Sequence, residues 1–165
     1  ATDAPSVRRL ALVALANTVL SNYNAEQKAQ SDEKKIAADP KSKPEDIAKA
    51  QAAIPKAQAS FALTRAAEPA LISTVSNPND DSEARTQGAL ALGRLGSPAD
   101  IKALVGALGD YDTRVRLAAL SGVQSAGAPA VGPLLAALAH GPEMTRAAAA
   151  PALGGIWTPQ AVAAP

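Results

Sequence analysis

Three arginines at matched spacing are the residues of this chain best placed to do chemistry. Arg85, Arg116 and Arg146 are each followed seven positions on by an aliphatic residue (Leu92, Val123, Leu153) and thirteen positions on by a proline (Pro98, Pro129, Pro159). A guanidinium presents a planar fork of N–H donors, so such a series could anchor phosphate or carboxylate groups. The rest of the catalytic inventory is thin. His140 is the only histidine and there is no cysteine, which excludes a multi-histidine or thiolate zinc site and any paired-histidine machinery. Gly93-Arg-Leu-Gly96 has the glycine spacing of a phosphate loop but lacks the lysine-serine pair and ends a helical pattern instead of following a strand. Asp110 and Asp112 lie in a turn, where helix capping accounts for them. No catalytic, metal or cofactor site is expected.

The elements that must position the arginines follow from the same spacing. Gly96 and Gly127 stand two residues before Pro98 and Pro129. Glycine just past a helix end can take the left-handed conformation that closes it, and proline suits the first turn of the next helix. Helix, glycine turn, proline, helix, repeated about every 30 residues, is the pattern of a helical solenoid.

These residues resemble HEAT repeats, in particular the short bacterial kind of the phycobilin lyases. Asp110-Tyr-Asp-Thr-Arg-Val-Arg-Leu-Ala-Ala-Leu120 looks like that family's first helix, and Ala67-Glu-Pro-Ala-Leu-Ile-Ser-Thr-Val75 like its second, as do Ile101 to Leu108 and Val131 to Leu138. The resemblance implies an all-α, right-handed α-solenoid of about four helix pairs, and binding in place of catalysis. It also implies that each arginine pairs with an aspartate in the preceding turn to build a ladder: Asp110 for Arg116, Asn79 or its neighbours for Arg85, and His140 in the place of the acid for Arg146. The repeated His-Glu pairs of HEAT-repeat hydroxylases are absent from the sequence.

Composition agrees with a stack of closely packed helices. The chain of 165 residues is 47% hydrophobic but only 2% aromatic, so alanine, leucine and valine make up the apolar content, and one domain spanning 1–165 is expected. A net charge of +1 provides no global field towards nucleic acid or an anionic membrane, and no apolar run approaches the length of a bilayer span. Ala1-Thr-Asp-Ala-Pro suits a new N-terminus after signal-peptide cleavage, and equally an excised fragment. The composition is compatible with a bacterial periplasmic protein and with a cytoplasmic one.

Along the chain, an amphipathic helix is expected from Pro5 to about Asn22 as the first helix of repeat one, its partner being postponed to about Pro69 by an insertion. Residues 24–56 hold seven of the eight lysines and six acids, but no arginine. Helices are expected over Ala25 to Ala38 and Glu45 to Ala53, ended by Asp39-Pro40 and Ile54-Pro55, forming a projecting hairpin that serves as an edge cap or a dimerisation arm. Residues 81–165 carry the clearest repeats: Asp81 or Ser82 caps the helix bearing Arg85, and Pro151 should kink or shorten the helix bearing Arg146. Thr158-Pro159-Gln160 reads as the start of a last helix, with Trp157 and Met144 covering the stack's open end and Tyr111 on a loop.

Function then rests on surfaces. The second helices are expected to form a concave face on which Asp100, Lys102, Gly106, Gly132, Ala136 and Ala139 leave a shallow, small-residue surface suited to an apolar helix or extended chain of another protein, with Trp157 a further contact. A scaffold or subunit of a multi-subunit complex is the reading that follows. The alternatives are a nucleic-acid binder resembling the HEAT-like DNA glycosylases, disfavoured because Lys102 is almost the sole cation on the inner helices, and a bilin lyase or chaperone by family analogy.

Overall fold

The computed structural model describes residues 4–156. Ala1, Trp157, Pro159 and the Thr158-Pro159-Gln160 helix start lie outside the described residues. Within them the chain forms eight α-helices and one 3-10 turn, with no strand. The helices are α1 (Ala4–Ala38), α2 (Pro44–Thr64), α3 (Glu68–Val75), α4 (Ser82–Leu95), α5 (Pro98–Ala107), α6 (Thr113–Ala126), α7 (Ala128–His140) and α8 (Glu143–Ile156); the 3-10 turn Arg65–Ala67 leads into α3.

A common frame of small and aliphatic residues determines how these helices stack. Ala84, Gly88, Ala91 and Leu95 of α4 are buried, as are Val115, Ala119 and Gly122 of α6 and Thr145, Ala149, Ala152 and Ile156 of α8. These positions recur at i, i+4, i+7 and i+11, so each helix turns one narrow stripe to its neighbours. Helices α1, α4, α6 and α8 pack side by side as one row, and α3, α5 and α7 form a second row against it. Leu71, Leu92, Leu104, Leu108, Val115, Val123 and Leu134 fill the space between the rows at 0–1% exposure.

Turn chemistry fixes the spacing of the pairs. The Asp81 side chain accepts hydrogen bonds from the Glu83 and Ala84 N–H groups and starts α4, and Asp112 caps α6 through the Arg114 N–H. Gly96 ends α4 at φ 67°, Gly127 ends α6 at φ 63°, and Pro98 and Pro129 sit in the first turns of α5 and α7. These are the roles their spacing predicts.

Three expectations about proline and helix ends are corrected. Helix α1 does not stop near Asn22; no proline or glycine lies between Pro5 and Pro40, and the helix runs on for 35 residues, about 50 Å at 1.5 Å per residue. Its second half and α2 make the hairpin, closed at the base by a Tyr23–Phe61 edge contact and by Asn22 Nδ2 donating to the Ser60 carbonyl. Helix α2 continues through Pro55 to Thr64, and α8 passes through Pro151 at the same 14-residue length as α4 and α6. Both prolines face solvent, where water can take the carbonyl left without its helical partner. Ile36, Ile47 and Ile54 are half-buried, and no residue from 20 to 63 is fully buried.

Backbone approaches backbone where α4 meets α6. A Cβ built on Gly93 would lie 2.7 Å from Gly122 Cα, against backbone that cannot yield as a side chain can, whereas one built on Gly106 meets nothing within 4 Å. Gly93→Ala is therefore expected to destabilise the fold by about 1–3 kcal/mol despite alanine's higher helix propensity. Gly106→Ala should stabilise it by roughly 0.5–1 kcal/mol. Denaturant unfolding of the two variants checks the opposite signs.

Candidate functional site

The arginine series closes the turns of the repeats, and one of its members, Arg85, also joins one repeat to the next. Each guanidinium first closes its own turn: Arg85 NH1 donates to the Asp80 and Pro78 carbonyls, Arg116 NH1 to those of Asp110 at 2.8 Å and Tyr111 at 3.1 Å, and Arg146 NH1 to that of Gly141 at 2.9 Å. The carboxylates are then shared across repeats. Asp110 receives Arg85 Nε at 2.9 Å and Arg85 NH2 at 3.1 Å, and Asp80 receives Arg8 NH2 at 3.1 Å.

This corrects the expected pairing of Arg116 with the Asp110 carboxylate. That carboxylate points back to the preceding repeat's arginine, and Arg116 takes the Asp110 carbonyl together with Thr113 Oγ1. Asp80, not Asn79, supplies the acid of the first rung. The 31-residue step from Arg85 to Arg116 places Asn79 opposite Asp110, so the spacing pointed one residue away from the acid that forms the rung.

Electrostatics make Arg85–Asp110 the principal pair. Their side chains are 0% and 6% exposed, and the Arg85 guanidinium also lies over the Tyr111 ring, 4.6 Å from its centre. Burial works against the Arg85 charge, but the hydrogen bonds to Asp110 and Tyr111 and the attraction of their charges together outweigh it and raise its pKa. The Arg114 guanidinium holds the Asp112 carboxyl far below the usual range.

Asp100, expected to face a partner, is fully buried instead. Its Oδ2 accepts the Ser97 N–H at 2.8 Å and its own N–H donates to Ser97 Oγ at 3.1 Å, so it closes a capping box on α5. Ser97 Oγ in turn donates to Glu68 of α3, while Asp100 Oδ1 has no partner. Burial pushes the Asp100 carboxyl up, helped by the charge of Glu68 and opposed by the Ser97 hydrogen bonds and the charge of Arg65.

The inner row carries a groove of about 560 Å³ between α3 and α5. Ile72, Val75 and Pro78 form one wall, and Ala99, Ala103, Gly106 and Ala107 form the other. Lys102 is the only cation lining it, and Asp110, at one end, is neutralised by Arg85. Lys102 and Gly106 both line the groove. Gly132, Ala136 and Ala139 are exposed on α7 but do not line the groove, His140 is exposed at the end of α7, and Trp157 is outside the described residues. Sequence reasoning missed the α3 wall, where Ile72 is half-buried and Val75 belongs to the core as well. It also missed Leu63, 79% exposed beside a second hollow of about 540 Å³ between α1, the end of α2 and α3. Among the described residues no three His, Cys, Asp or Glu side chains cluster as metal ligands, and no helix is long and apolar enough to cross a membrane.

A family model described as HEAT repeats matches residues 41–124, which is just over half of the chain. The chain belongs to the HEAT-repeat family. Among curated proteins, none matches it. The HEAT match takes in α2, α3, α4, α5 and most of α6, and so contains Arg85, Asp110 and both walls of the groove. It begins in the hairpin turn, so it includes the half of the lysine-rich segment that returns to the stack. HEAT repeats commonly mediate contacts between proteins.

Removing the buried partner should expose the difference between rungs. Arg85→Ala leaves Asp110 as an unpaired buried carboxylate and is expected to cost about 3–5 kcal/mol. Arg116→Ala removes only partly exposed hydrogen bonds to carbonyl groups and a hydroxyl and should cost about 1 kcal/mol. Equilibrium unfolding of both variants decides whether this ranking holds.

Asp100 gives a pH signature. A carboxyl whose folded pKa lies above its unfolded value adds most to stability below the unfolded pKa, and that contribution is lost as pH rises through the folded pKa. Asp100→Asn keeps an acceptor for the Ser97 N–H and removes the ionisation. The unfolding free energy of the wild type relative to the variant is expected to fall as pH rises through that window, which thermal melts across the acidic and neutral range would follow.

Proposed function

We propose that this HEAT-repeat chain is a non-catalytic protein-binding module, a right-handed α-solenoid of four helix pairs of the short, phycobilin-lyase-like kind. We take it to serve as a scaffold or subunit of a larger assembly. The groove between α3 and α5 carries this reading. Its walls are apolar and its α5 side is lined by Ala99, Ala103, Gly106 and Ala107, so the backbone of a bound segment can come close. The charged groups nearby are otherwise engaged: Asp110 holds Arg85, and Asp100 closes the α5 cap. Lys102, exposed on the groove, is the one charge left for recognition. The partner segment that fits is an apolar helix or extended chain of another protein carrying an acidic side chain opposite Lys102.

Gly106→Trp is the test, because open space above Gly106 lets the indole fill the groove without disturbing the core. The variant is expected to melt like the wild type while retaining at least tenfold less of the partner protein recovered with the wild type from its native source, a factor of ten being about 1.4 kcal/mol. Equal recovery with the groove filled would overturn the reading. So would salt-sensitive binding of the wild type to generic duplex or single-stranded nucleic acid, whose affinity falls steeply as salt rises.

A further inference from the structure

The ladder has an open rung. Arg85 and Arg116 share Asp110, the first through the carboxylate and the second through the carbonyl. One repeat on, Arg146 donates to the Gly141 carbonyl as Arg116 donates to that of Tyr111, which puts His140 where Asp110 stands in the rung before. His140 brings no carboxylate. Neither Arg116 nor Arg146 forms an ion pair among the described residues. Glu143, in the first turn of α8, pairs with neither, and Asp112, near Arg116 in sequence, is taken by Arg114.

We infer that this rung, formed by Arg116 and Arg146 with His140 at its edge, is a binding site for a carboxylate supplied in trans by an acidic side chain of a partner protein. The occupied rung shows which ligand the fork accepts: a carboxylate held by Nε and NH2 of one arginine at 2.9 and 3.1 Å. In Arg116 the NH1 group is spent on its own turn and one NH2 hydrogen on the Thr113 hydroxyl, which leaves Nε, half of the edge that holds Asp110 on Arg85, without a partner among the described residues. Unlike the 0%-exposed Arg85, Arg116 is only half-buried and Arg146 is exposed, so a carboxylate from outside can reach them. Met144, 53% exposed, stands two residues before Arg146 in the first turn of α8. That the carboxylate comes from a protein rests on the interaction-module reading; that the rung accepts a carboxylate does not.

The test uses the chain alone. Arginine Nε–Hε signals are followed by NMR while N-acetyl-aspartate amide is added at constant ionic strength, with inorganic phosphate as a second arm. The Arg116 signal is expected to shift saturably with the aspartate probe, and the Arg85 signal, already bonded to Asp110, to stay in place. His140→Asp should supply the missing carboxylate from within, move the Arg116 signal towards that of Arg85, and weaken the probe's effect about tenfold. Arg116→Gln should abolish the probe's shift of the Arg146 signal, with the fold retained. No saturable shift in the wild type, or an undiminished one in both variants, overturns the site. Phosphate binding at least tenfold more tightly than the aspartate probe overturns the carboxylate assignment. A positive probe result alongside full partner binding by Gly106→Trp would leave the rung standing and remove the groove.

Discussion

The buried ion pair between Arg85 and Asp110 is the constraint on which the arrangement of repeats depends. Two charges removed from water stabilise a fold only when every donor and acceptor is matched, and here the match is spread over two repeats. Arg85 satisfies the Pro78 and Asp80 carbonyls of its own turn and the Asp110 carboxylate of the next. Asp110 also accepts the N–H of Asp112, which caps α6. The angle between neighbouring pairs cannot drift without breaking several of these bonds together. The same pair takes Asp110 out of the electrostatics of the groove it borders, so that structure and recognition meet at one carboxylate.

Small residues act with the ladder. Alanine and glycine along α4, α6 and α8 let the outer row approach until Gly93 and Gly122 bring backbone close to backbone. Larger side chains would hold the helices apart and lengthen the reach from Arg85 to Asp110. The low aromatic content, first noticed as composition, is thus the condition for ion pairs between repeats to close.

Much of this was legible in the chain because local chemistry decides it. Gly96 and Gly127 had to take positive φ, Pro98 and Pro129 had to open helices, and the recurrence of Arg85, Arg116 and Arg146 marked equivalent places. What was not legible depended on reach across repeats. Nothing in the spacing of Asp110 and Arg116 tells that the carboxylate turns backwards to Arg85. Asp100 looked like a surface acid on an inner helix, and only the capping box with Ser97 explains its burial. Pro55 and Pro151 read as breakers because propensity takes no account of which face a proline occupies. Val75 is core as well as groove wall, and nothing in the pattern of α3 marks Ile72 as the residue left half-buried beside the groove.

Helix α1 belongs to two structures at once. Its first half lies in the outer row, with Ala16 and Val19 fully buried, and its second half is one arm of a hairpin that buries no residue completely. A continuous helix has no joint at which the two could turn separately. The hairpin is therefore a handle fixed to the first repeat: whatever grips it, by its lysines or by its acids, applies torque directly to the packing at Ala16 and Val19. A load at the tip is felt at the edge of the stack before any other repeat has moved.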